Sequence, residues 1–485
     1  MRVLVAVAVS CLFACSSTPA MDDGGSGGGG STGGGSGGGS TGGGSGGGAT
    51  FDPCPQLPAA TGAVVTVTTT SGLIAALQGV APNTTILLED GTYSFASGQY
   101  VYVGARGVTV RGKSNDATKV FLDANYATGF GQSIVTLAAD DVTLADVTVQ
   151  RAYDHPIHVQ PAFSSPEPLT GVRIYRVRVI DPGQQGIKVN PDEPGFLNVI
   201  DDGLIACSTI VLTSTGRAQV RDNCYTGGVD LHAARGWTIR DNHIEGFWCP
   251  QGLSEHAIHC WKGCRDTTVE RNVLVNNARG VGFGLGTGTA GRSYPDNPCP
   301  GVTNAGAVGG VIRNNVVSVT DGPLQASGSG FDTGIALELA CGDVQVLHNT
   351  VVSSLVPASS SIEWRFTGTT ATVKNNLSSG RLLQRDGAMA TQAGNVSNAT
   401  SALFANSSQH DLHLVPGAAA IDQGAALPAG VCDGDLDGQA RPAARDVGAD
   451  EVQQPHRLTA PARRGASPES TSPARSHPGP PGGWA

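Results

Sequence analysis

The chain has 485 residues, a formal net charge of −10 at pH 7, 69 glycines and an aromatic content of 5%. The negative charge and the lack of a basic stripe in the sequence argue against a nucleic-acid-binding protein. About 400 residues remain when the low-complexity ends are set aside, which is enough for a large hydrophobic core.

The first residues read MRVLVAVAVSCLFACSS, in which one arginine precedes an apolar run too short to span a bilayer. This pattern predicts a signal peptide over residues 1–15. Residues 12–15 resemble a bacterial lipobox, which implies that Cys15 is lipidated and that the lipid is the only membrane contact. Ser16 then suggests an outer-membrane lipoprotein at the cell surface or in the extracellular space; the alternative is an ordinary signal peptide with a chance cysteine.

Residues 16–50 are predicted to be a flexible linker, because a run of glycine, serine and threonine cannot build a core. The stretch 66–93 then predicts a short amphipathic helix around 73–77, followed by a strand over 85–88. Regular strands are expected to follow from 108–111 and 142–149.

One short phrase, an apolar residue followed three positions later by asparagine, recurs from residue 220 onward. Its asparagines are Asn223, Asn242, Asn272, Asn315, Asn349 and Asn376. Asparagine tolerates the left-handed conformation and bonds its own backbone, so each phrase predicts a tight corner between two short strands. Recurrence of such a unit is typical of a solenoid, in which the asparagines of successive corners would stack in one column.

A second phrase, apolar-x-apolar, has the period of two that predicts a strand. Its apolar pairs are Ile157/Val159, Ile187/Val189, Val229/Leu231, Ile258/Cys260, Val281/Phe283, Ile335/Leu337 and Ile362/Trp364. The residue between the two apolar residues of each pair, and the residue after the second one, would point outward and form two columns. The first is His158, Lys188, Asp230, His259, Gly282, Ala336 and Glu363, and the second is Gln160, Asn190, His232, Trp261, Gly284, Glu338 and Arg365.

Together these phrases resemble the right-handed parallel β-helix of the pectate-lyase-like superfamily, over roughly residues 64–395. The resemblance implies an all-β domain over residues 51–404, with three parallel sheets and an N-terminal cap helix. Residues 411–451 resemble the module that follows extracellular β-helices, which predicts a C-terminal capping module over 405–453. Residues 454–485, rich in proline, serine and arginine, are predicted to be disordered.

Superfamily enzymes place their clefts on such an outward face, so the columns are the candidate site. Removing the proton α to a uronate carboxylate requires a base and a group that holds the developing negative charge. Lys188, kept protonated by Asp230, is the predicted charge-neutralising group, and His232 and His259 are the predicted bases. Glycoside hydrolysis is disfavoured, because Asp230 and Glu338 are expected to lie ~14 Å apart.

Five further residues are predicted to bind substrate: Asn190, Arg235, Trp261, Lys262 and Glu338. Among them, Trp261 would stack on a pyranose ring, whereas Arg235 and Lys262 would hold a carboxylate. Gly282 and Gly284 predict a bare floor with room for a sugar ring.

No metal centre is predicted. His256 and His259 are three residues apart, which on one strand would put them on opposite faces and prevent them from sharing an ion. Asp433-x-Asp435-x-Asp437-Gly438 opens like a calcium loop, but position twelve is alanine where that loop has glutamate. A turn is therefore favoured there, and calcium is the only cofactor left open.

Nine cysteines follow Cys15, an odd number, so at least one stays free in an exported chain that forms disulfides. Candidate local pairs are Cys207 with Cys224 and Cys249 with Cys264. Cys260 is the candidate free thiol because it points inward, although spacing does not fix the connectivity.

These patterns predict a surface-anchored, monomeric protein that binds an acidic polysaccharide and modifies it by β-elimination or C5 epimerisation. Because one fold hosts many functions, the alternative is a non-catalytic glycan-binding or structural surface protein. The stretches 191–221 and 247–256 are expected to wall an open groove. Loops folded over the outward face would instead favour the non-catalytic alternative.

Overall fold

The structure is a computed structural model that describes residues 52–128, 133–162, 166–191, 195–287, 289–354 and 360–453. The predicted signal peptide, Cys15, the linker and the tail 454–485 lie outside these residues. Within the described part of the chain, no helix is long and apolar enough to cross a membrane.

The chain forms a right-handed parallel β-helix built from three long parallel sheets of 12, 10 and 10 strands. Sheet 1 contains Val64–Val67, Thr85–Leu88, Thr109–Gly112, Thr143–Ala145, Arg173–Tyr175, Leu204–Ala206, Thr238–Arg240, Thr268–Glu270, Val311–Arg313, Val344–Leu347, Thr370–Lys374 and Met389–Ala393. Sheet 2 contains Gly91–Ser94, Val120–Asp123, Thr148–Gln150, Arg178–Ile180, Thr209–Val211, His243–Glu245, Val273–Val275, Val316–Val319, Thr350–Ser353 and Leu377–Ser378. Sheet 3 contains Val101–Val103, Ser133–Leu137, His155–Val159, Ile187–Val189, Val229–His232, Ile258–Trp261, Arg279–Phe283, Thr333–Glu338, Ser360–Arg365 and Leu382–Gln384.

Short elements complete the fold. Two small parallel sheets pair Leu169–Thr170 with Ile200–Asp201, and Cys264–Arg265 with Ala307–Val308 and Ala340–Cys341. The helices are Thr70–Leu77, Ser214–Arg217 and Gly322–Ala326, with 3₁₀ turns at Asp222–Cys224, Ser401–Leu403 and Ser407–Gln409.

The first helix and strand confirm the expectation for the N-terminal end. The helix Thr70–Leu77 is capped at its N-terminus by Thr69, whose hydroxyl accepts the Gly72 N–H at 3.0 Å. Such a cap satisfies one of the free amides of the first helical turn. Leu73 and Leu77 are buried against the first coils.

The apolar pairs of the second phrase point into the core, as predicted. Val229 and Leu231 have no exposed surface, and the same holds for Ile258 and Cys260 on the next coil. Because side chains alternate along a strand, this orientation sends the residues between them to the outside of sheet 3.

The asparagine column is present at the corner between sheets 1 and 2, with one change in membership. It runs through Asn242, Asn272, Asn315, Asn349, Asn376 and Asn395, each linked to the next by an amide hydrogen bond. The prediction for Asn223 is wrong, because it lies exposed in the 3₁₀ turn Asp222–Cys224. Ser208 takes that corner instead, its N–H donating to Asn242 at 3.0 Å.

The physical reason for the asparagines also differs from the prediction. The left-handed residue at each corner is the one before the asparagine, such as Asp241 (φ 56°) and Arg271 (φ 51°). The asparagine itself uses its side chain to bond neighbouring coils. Its role is therefore to satisfy buried polar groups between coils, not to supply the unusual backbone angle.

The N-terminal segment 52–58 runs along the outside of sheet 1. Its backbone carbonyls accept hydrogen bonds from successive coils: Pro58 from Arg111 at 2.9 Å, and Pro55 from the Tyr175 hydroxyl at 2.7 Å. A disulfide between Cys54 and Cys207 fixes this segment to the coil of Leu204–Ala206.

Four disulfides replace the predicted pairs. They are Cys54–Cys207, Cys224–Cys249, Cys260–Cys264 and Cys299–Cys341. The free cysteine among the described residues is the buried Cys432, so the prediction of a free Cys260 is wrong. Cys260 points inward as expected, but the turn after its strand returns Cys264 to within 5.8 Å, measured between Cα atoms.

The C-terminal module forms a second, smaller core on the outer flank of sheet 2. Its strands Phe404–Asn406 and Asp411–Leu414 pair in antiparallel fashion. Phe404 and Leu414 belong to one apolar cluster with Val316, Val352 and Leu377 on strands of sheet 2. That this module closes the open end of the solenoid stays a prediction.

Candidate functional site

The first outward column of sheet 3 has the predicted register. Strand pairing places His158 beside Lys188, Lys188 beside Asp230, and Asp230 beside His259. The column continues through Gly282, Ala336 and Glu363. In the second column, His232 pairs with Trp261 and Glu338 with Arg365.

Lys188 is the centre of a polar cluster that also contains Tyr225, Asp230 and His232. Its Nζ lies 2.9 Å from the Tyr225 hydroxyl and 2.8 Å from His232 Nε2, and it forms an ion pair with Asp230. Burial favours the neutral amine, but the Asp230 carboxylate and Tyr225 outweigh this effect and raise the pKa of Lys188. The group is therefore an ammonium ion, as the sequence predicted.

Asp230 links three other members of the cluster. Its Oδ1 accepts the Trp261 indole N–H at 2.8 Å, and its Oδ2 lies 3.1 Å from His232 Nε2. Burial alone would raise the pKa of Asp230, but Lys188 and His232 hold it well below the ordinary value. Lowering by Lys188 is the direction expected from the sequence.

Tyr225 is a member that the sequence did not indicate. It lies between the 3₁₀ turn Asp222–Cys224 and the strand Val229–His232, in an irregular connection that no periodicity places. Burial and then the Asp230 charge raise the pKa of its hydroxyl, so it remains a protonated phenol. This phenol, which accepts a hydrogen bond from the Lys188 ammonium, is the member of the cluster that the columns alone could not show.

His259 shares the column but directs its ring nitrogens elsewhere. Its Nε2 lies 3.1 Å from the Gly284 carbonyl, and its Nδ1 lies 3.2 Å from Glu255 Oε2 and 3.7 Å from Asp230 Oδ1. Burial lowers the pKa of His259, but Glu255 first and Asp230 second outweigh burial and raise it. Glu255 is thus its main partner, and the sequence did not single out that residue.

The prediction of a bare floor beside the cluster is wrong. His256, at the end of the stretch 247–256, places its imidazole over Gly282, where an added Cβ would meet the ring at 2.6 Å. At Gly284, an added Cβ would meet the backbone carbonyl of Glu338. These glycines make room for the protein's own atoms rather than for a sugar.

His256 and His259 also lie together, contrary to the opposite-face argument. His256 precedes the strand Ile258–Trp261, so strand alternation does not govern it, and the two ring centres are 4.7 Å apart. With Glu255 they form a group whose potential metal-ligating atoms all lie within 4.8 Å of one another.

Three of the five predicted substrate-binding residues, Asn190, Trp261 and Lys262, lie at or next to the cluster. Asn190 accepts a bond from the His158 ring at the edge of the cluster. The Trp261 ring stacks on His259 at 5.3 Å and has the Lys262 ammonium 4.7 Å from its centre, contacts that compete with stacking on a sugar. Both tryptophan and lysine are half-buried.

Arg235 and Glu338 are not brought to the cluster. Arg235 pairs with Asp201 at 3.4 Å and lines a separate surface cleft of about 480 Å³ with Arg265 and Tyr294. Glu338 accepts the Gly286 N–H at 2.5 Å and thereby holds a turn.

The carboxylates of the calcium-like loop in the C-terminal module are bound to donors within the protein. Asp433 pairs with Arg445 at 3.2 Å, Asp435 accepts the Gln439 N–H at 2.7 Å, and Asp437 lies 3.0 Å from His413 Nε2. These contacts describe a turn, and calcium binding stays a prediction.

Access to the cluster is narrow. The exposed fractions of the side chains are 8% for Lys188, 6% for His232 and 2% for Asp230. Tyr225, Asn190 and Trp261 are half-buried and form the rim. The stretch 191–221 is not one wall, because it contains strands of sheets 1 and 2 and a short helix.

Comparison with known proteins gives likeness in fold. No protein-family model matches the chain, and no curated protein matches it in sequence. An alginate lyase from Paenibacillus sp. str. FPU-7 is similar in structure, with a TM-score of 0.45, 14% identity, and coverage of 69% of this chain and 99% of that one. The pectate lyase Pel9A has a TM-score of 0.49 and 14% identity, with coverage of 78% of this chain and 90% of that one. The A-module of a mannuronan C-5 epimerase from Azotobacter vinelandii has a TM-score of 0.40 and 12% identity, with coverage of 68% of this chain and 94% of that one.

Proposed function

We propose that the protein binds an acidic polysaccharide on the outward face of sheet 3 and acts on it by removing the proton α to a uronate carboxylate. One observation carries the proposal: a single ammonium group, Lys188 Nζ, is within 2.9 Å of both a phenol and an imidazole nitrogen. Charge stabiliser, proton donor and proton acceptor are therefore gathered around one point, as this chemistry requires.

The roles follow from the state of each group. The Lys188 ammonium neutralises the carboxylate as negative charge develops on it. His232 takes the α proton at Nε2, once the Lys188 ammonium turns from that nitrogen to the substrate carboxylate. Tyr225, whose phenol stays protonated, donates to the glycosidic oxygen in β-elimination or returns a proton to the sugar in epimerisation. Asp230 holds the lysine charged and binds the Trp261 indole N–H on the cluster's other side.

A specific observation favours the second candidate, a non-catalytic glycan-binding or structural protein. The centre of the cluster is nearly covered, and the His256 ring lies over Gly282 on the neighbouring part of the face. An extended sugar chain would reach only the rim of Tyr225, Asn190 and Trp261. Binding at that rim without turnover is what this candidate predicts.

Formation of an unsaturated, ultraviolet-absorbing product from pectate, alginate and glycosaminoglycans tests the elimination reaction. Tyr225→Phe removes one hydroxyl and should lower the rate by about 10²- to 10⁴-fold, the usual contribution of a general acid. Tyr175→Phe is the matched control, because it also removes one tyrosine hydroxyl, but this hydroxyl donates to the Pro55 carbonyl outside sheet 1, away from the cluster. Binding by wild type and Tyr225→Phe alike, with no product from any substrate, would favour the non-catalytic candidate.

A further inference from the structure

Three side chains beside the cluster form a group that the proposed chemistry does not use. Glu255 and His256 end the stretch 247–256, and His259 lies on the strand Ile258–Trp261. His256 and His259 are each 1% exposed, and the Glu255 side chain is 20% exposed. The group is therefore enclosed on most sides by protein.

One buried polar atom of each side chain makes no hydrogen bond with the surrounding protein. Glu255 Oε2, His256 Nδ1 and His259 Nδ1 are all shielded from solvent; His256 Nδ1 has no partner among the described residues, and the other two atoms face each other at 3.2 Å. A buried polar group left unpaired is destabilising, so a group of three that offers no partner beyond its own members requires an explanation. One ligating atom from each residue lies within 4.8 Å of the other two.

The orientation of His259 indicates what would satisfy them. Its Nε2 can bond the Gly284 carbonyl at 3.1 Å only by donating a proton to it. In the neutral ring, the lone pair of Nδ1 then faces Glu255 Oε2 at 3.2 Å, and two electron-rich atoms repel each other. Histidines that bind metals commonly donate their other N–H to a backbone carbonyl in this way. A proton on Nδ1 would relieve that one contact, but it would leave the His256 nitrogen without a partner.

We propose that Glu255, His256 and His259 together bind one divalent first-row transition metal ion, with Zn²⁺ as the reference ion. Two imidazoles and one carboxylate are a ligand set for such ions, whereas Ca²⁺ and Mg²⁺ select oxygen ligands. Ligands about 2.0–2.2 Å from a tetrahedral zinc lie roughly 3.3–3.5 Å apart, close to the 3.2 Å between His259 Nδ1 and Glu255 Oε2.

Asp230 is a neighbour of this ion rather than a fourth ligand. Its Oδ1 lies 3.7 Å from His259 Nδ1 but already accepts the Trp261 N–H. The proposal does not rest on the proposed function, because it concerns the resting protein. Failure to bind metal and failure to act on a polysaccharide are separate results.

The test is metal binding by the full chain after treatment with a chelator. Calorimetric titration with Zn²⁺ should give one equivalent per chain, and Co²⁺ should give visible absorption bands of a low-coordinate nitrogen–oxygen site. Glu255→Gln and His259→Asn should each weaken Zn²⁺ binding by about tenfold or more, since even partners of metal ligands contribute 10–100-fold. Circular dichroism identifies any variant that fails to fold, and the partly exposed Glu255 side chain makes Glu255→Gln the safer of the two.

His243→Gln is the matched control. His243 also contacts a glutamate, with Nε2 2.9 Å from Glu245 Oε2, but on the half-exposed face of sheet 2. It should bind Zn²⁺ as the wild type does. Equal binding by wild type, Glu255→Gln and His259→Asn, or a site that takes Ca²⁺ but not Zn²⁺, would overturn the proposal.

Discussion

Asn315→Ala should destabilise the solenoid strongly, because the Asn315 amide bonds three coils at once. Its Oδ1 accepts the Asn272 backbone N–H at 3.0 Å and the Asn272 amide at 2.9 Å. Its Nδ2 donates to the Val269 carbonyl at 2.9 Å and to Asn349 Oδ1 at 3.0 Å. The side chain has no exposed surface, so water cannot replace these bonds.

The magnitude follows from the partners left behind. The Asn272 N–H loses its partner, whereas the Val269 carbonyl stays in the ladder of sheet 1 through its pairing with Ile312. The Asn272 amide keeps Ile239, and Asn349 Oδ1 keeps the Asn315 backbone N–H. At about 1–3 kcal/mol for the unpaired N–H and about 1 kcal/mol for each other bond lost, with a further term for the cavity, the free energy of unfolding should fall by about 3–5 kcal/mol.

Urea-induced unfolding, followed by circular dichroism, measures this change. Asn223→Gly is the control: Asn223 belongs to the same sequence phrase but lies exposed outside the column, and glycine keeps its positive φ of 55°. We expect the control to change the free energy of unfolding by less than about 1 kcal/mol. If Asn315→Ala cost no more than Asn223→Gly, the column would not be what joins the coils.

Three further predictions concern other parts of the chain. Reduction of the Cys54–Cys207 disulfide should release segment 52–58 to proteolysis; unchanged protection would show that hydrogen bonds alone hold it. Burial disfavours the Asp123 carboxylate, but Arg151 holds its pKa below the ordinary value. The stability difference between wild type and Asp123→Asn should therefore be constant above about pH 4 and shrink as the pH falls through the lowered pKa; a pH-independent difference would refute this. Cys15→Ser should move the protein from membranes to the soluble fraction, and membrane retention after a salt wash would contradict the lipobox.

The strands and their register could be predicted because solenoid coils repeat one pattern. Apolar pairs fixed which face of each strand is inside, and aligning them placed Lys188, Asp230 and His259 in adjacent rows. A period of two contains that information for every strand residue. The phrase around Asn223 failed because it matched the corner without belonging to a strand pair.

The covering of the site could not be predicted, because connections between strands have no period. Tyr225, Glu255 and His256 all come from such connections, and their positions depend on contacts distant in sequence. The disulfides that fix these stretches, such as Cys224–Cys249, join irregular segments to one another. The outward columns were therefore expected to line an open groove, yet their central side chains are almost covered.

Exchange of the α proton with solvent tests the central claim most directly, because elimination and epimerisation share that step. A uronate polymer that the protein binds would be incubated with it in D₂O, and deuterium at C5 would be followed by nuclear magnetic resonance. With the wild-type protein we expect deuterium at C5, either in epimerised units or by exchange before elimination. With Lys188→Met we expect a large reduction in the deuterium incorporated at C5. A bound polymer that keeps every C5 proton and yields no unsaturated product would contradict it.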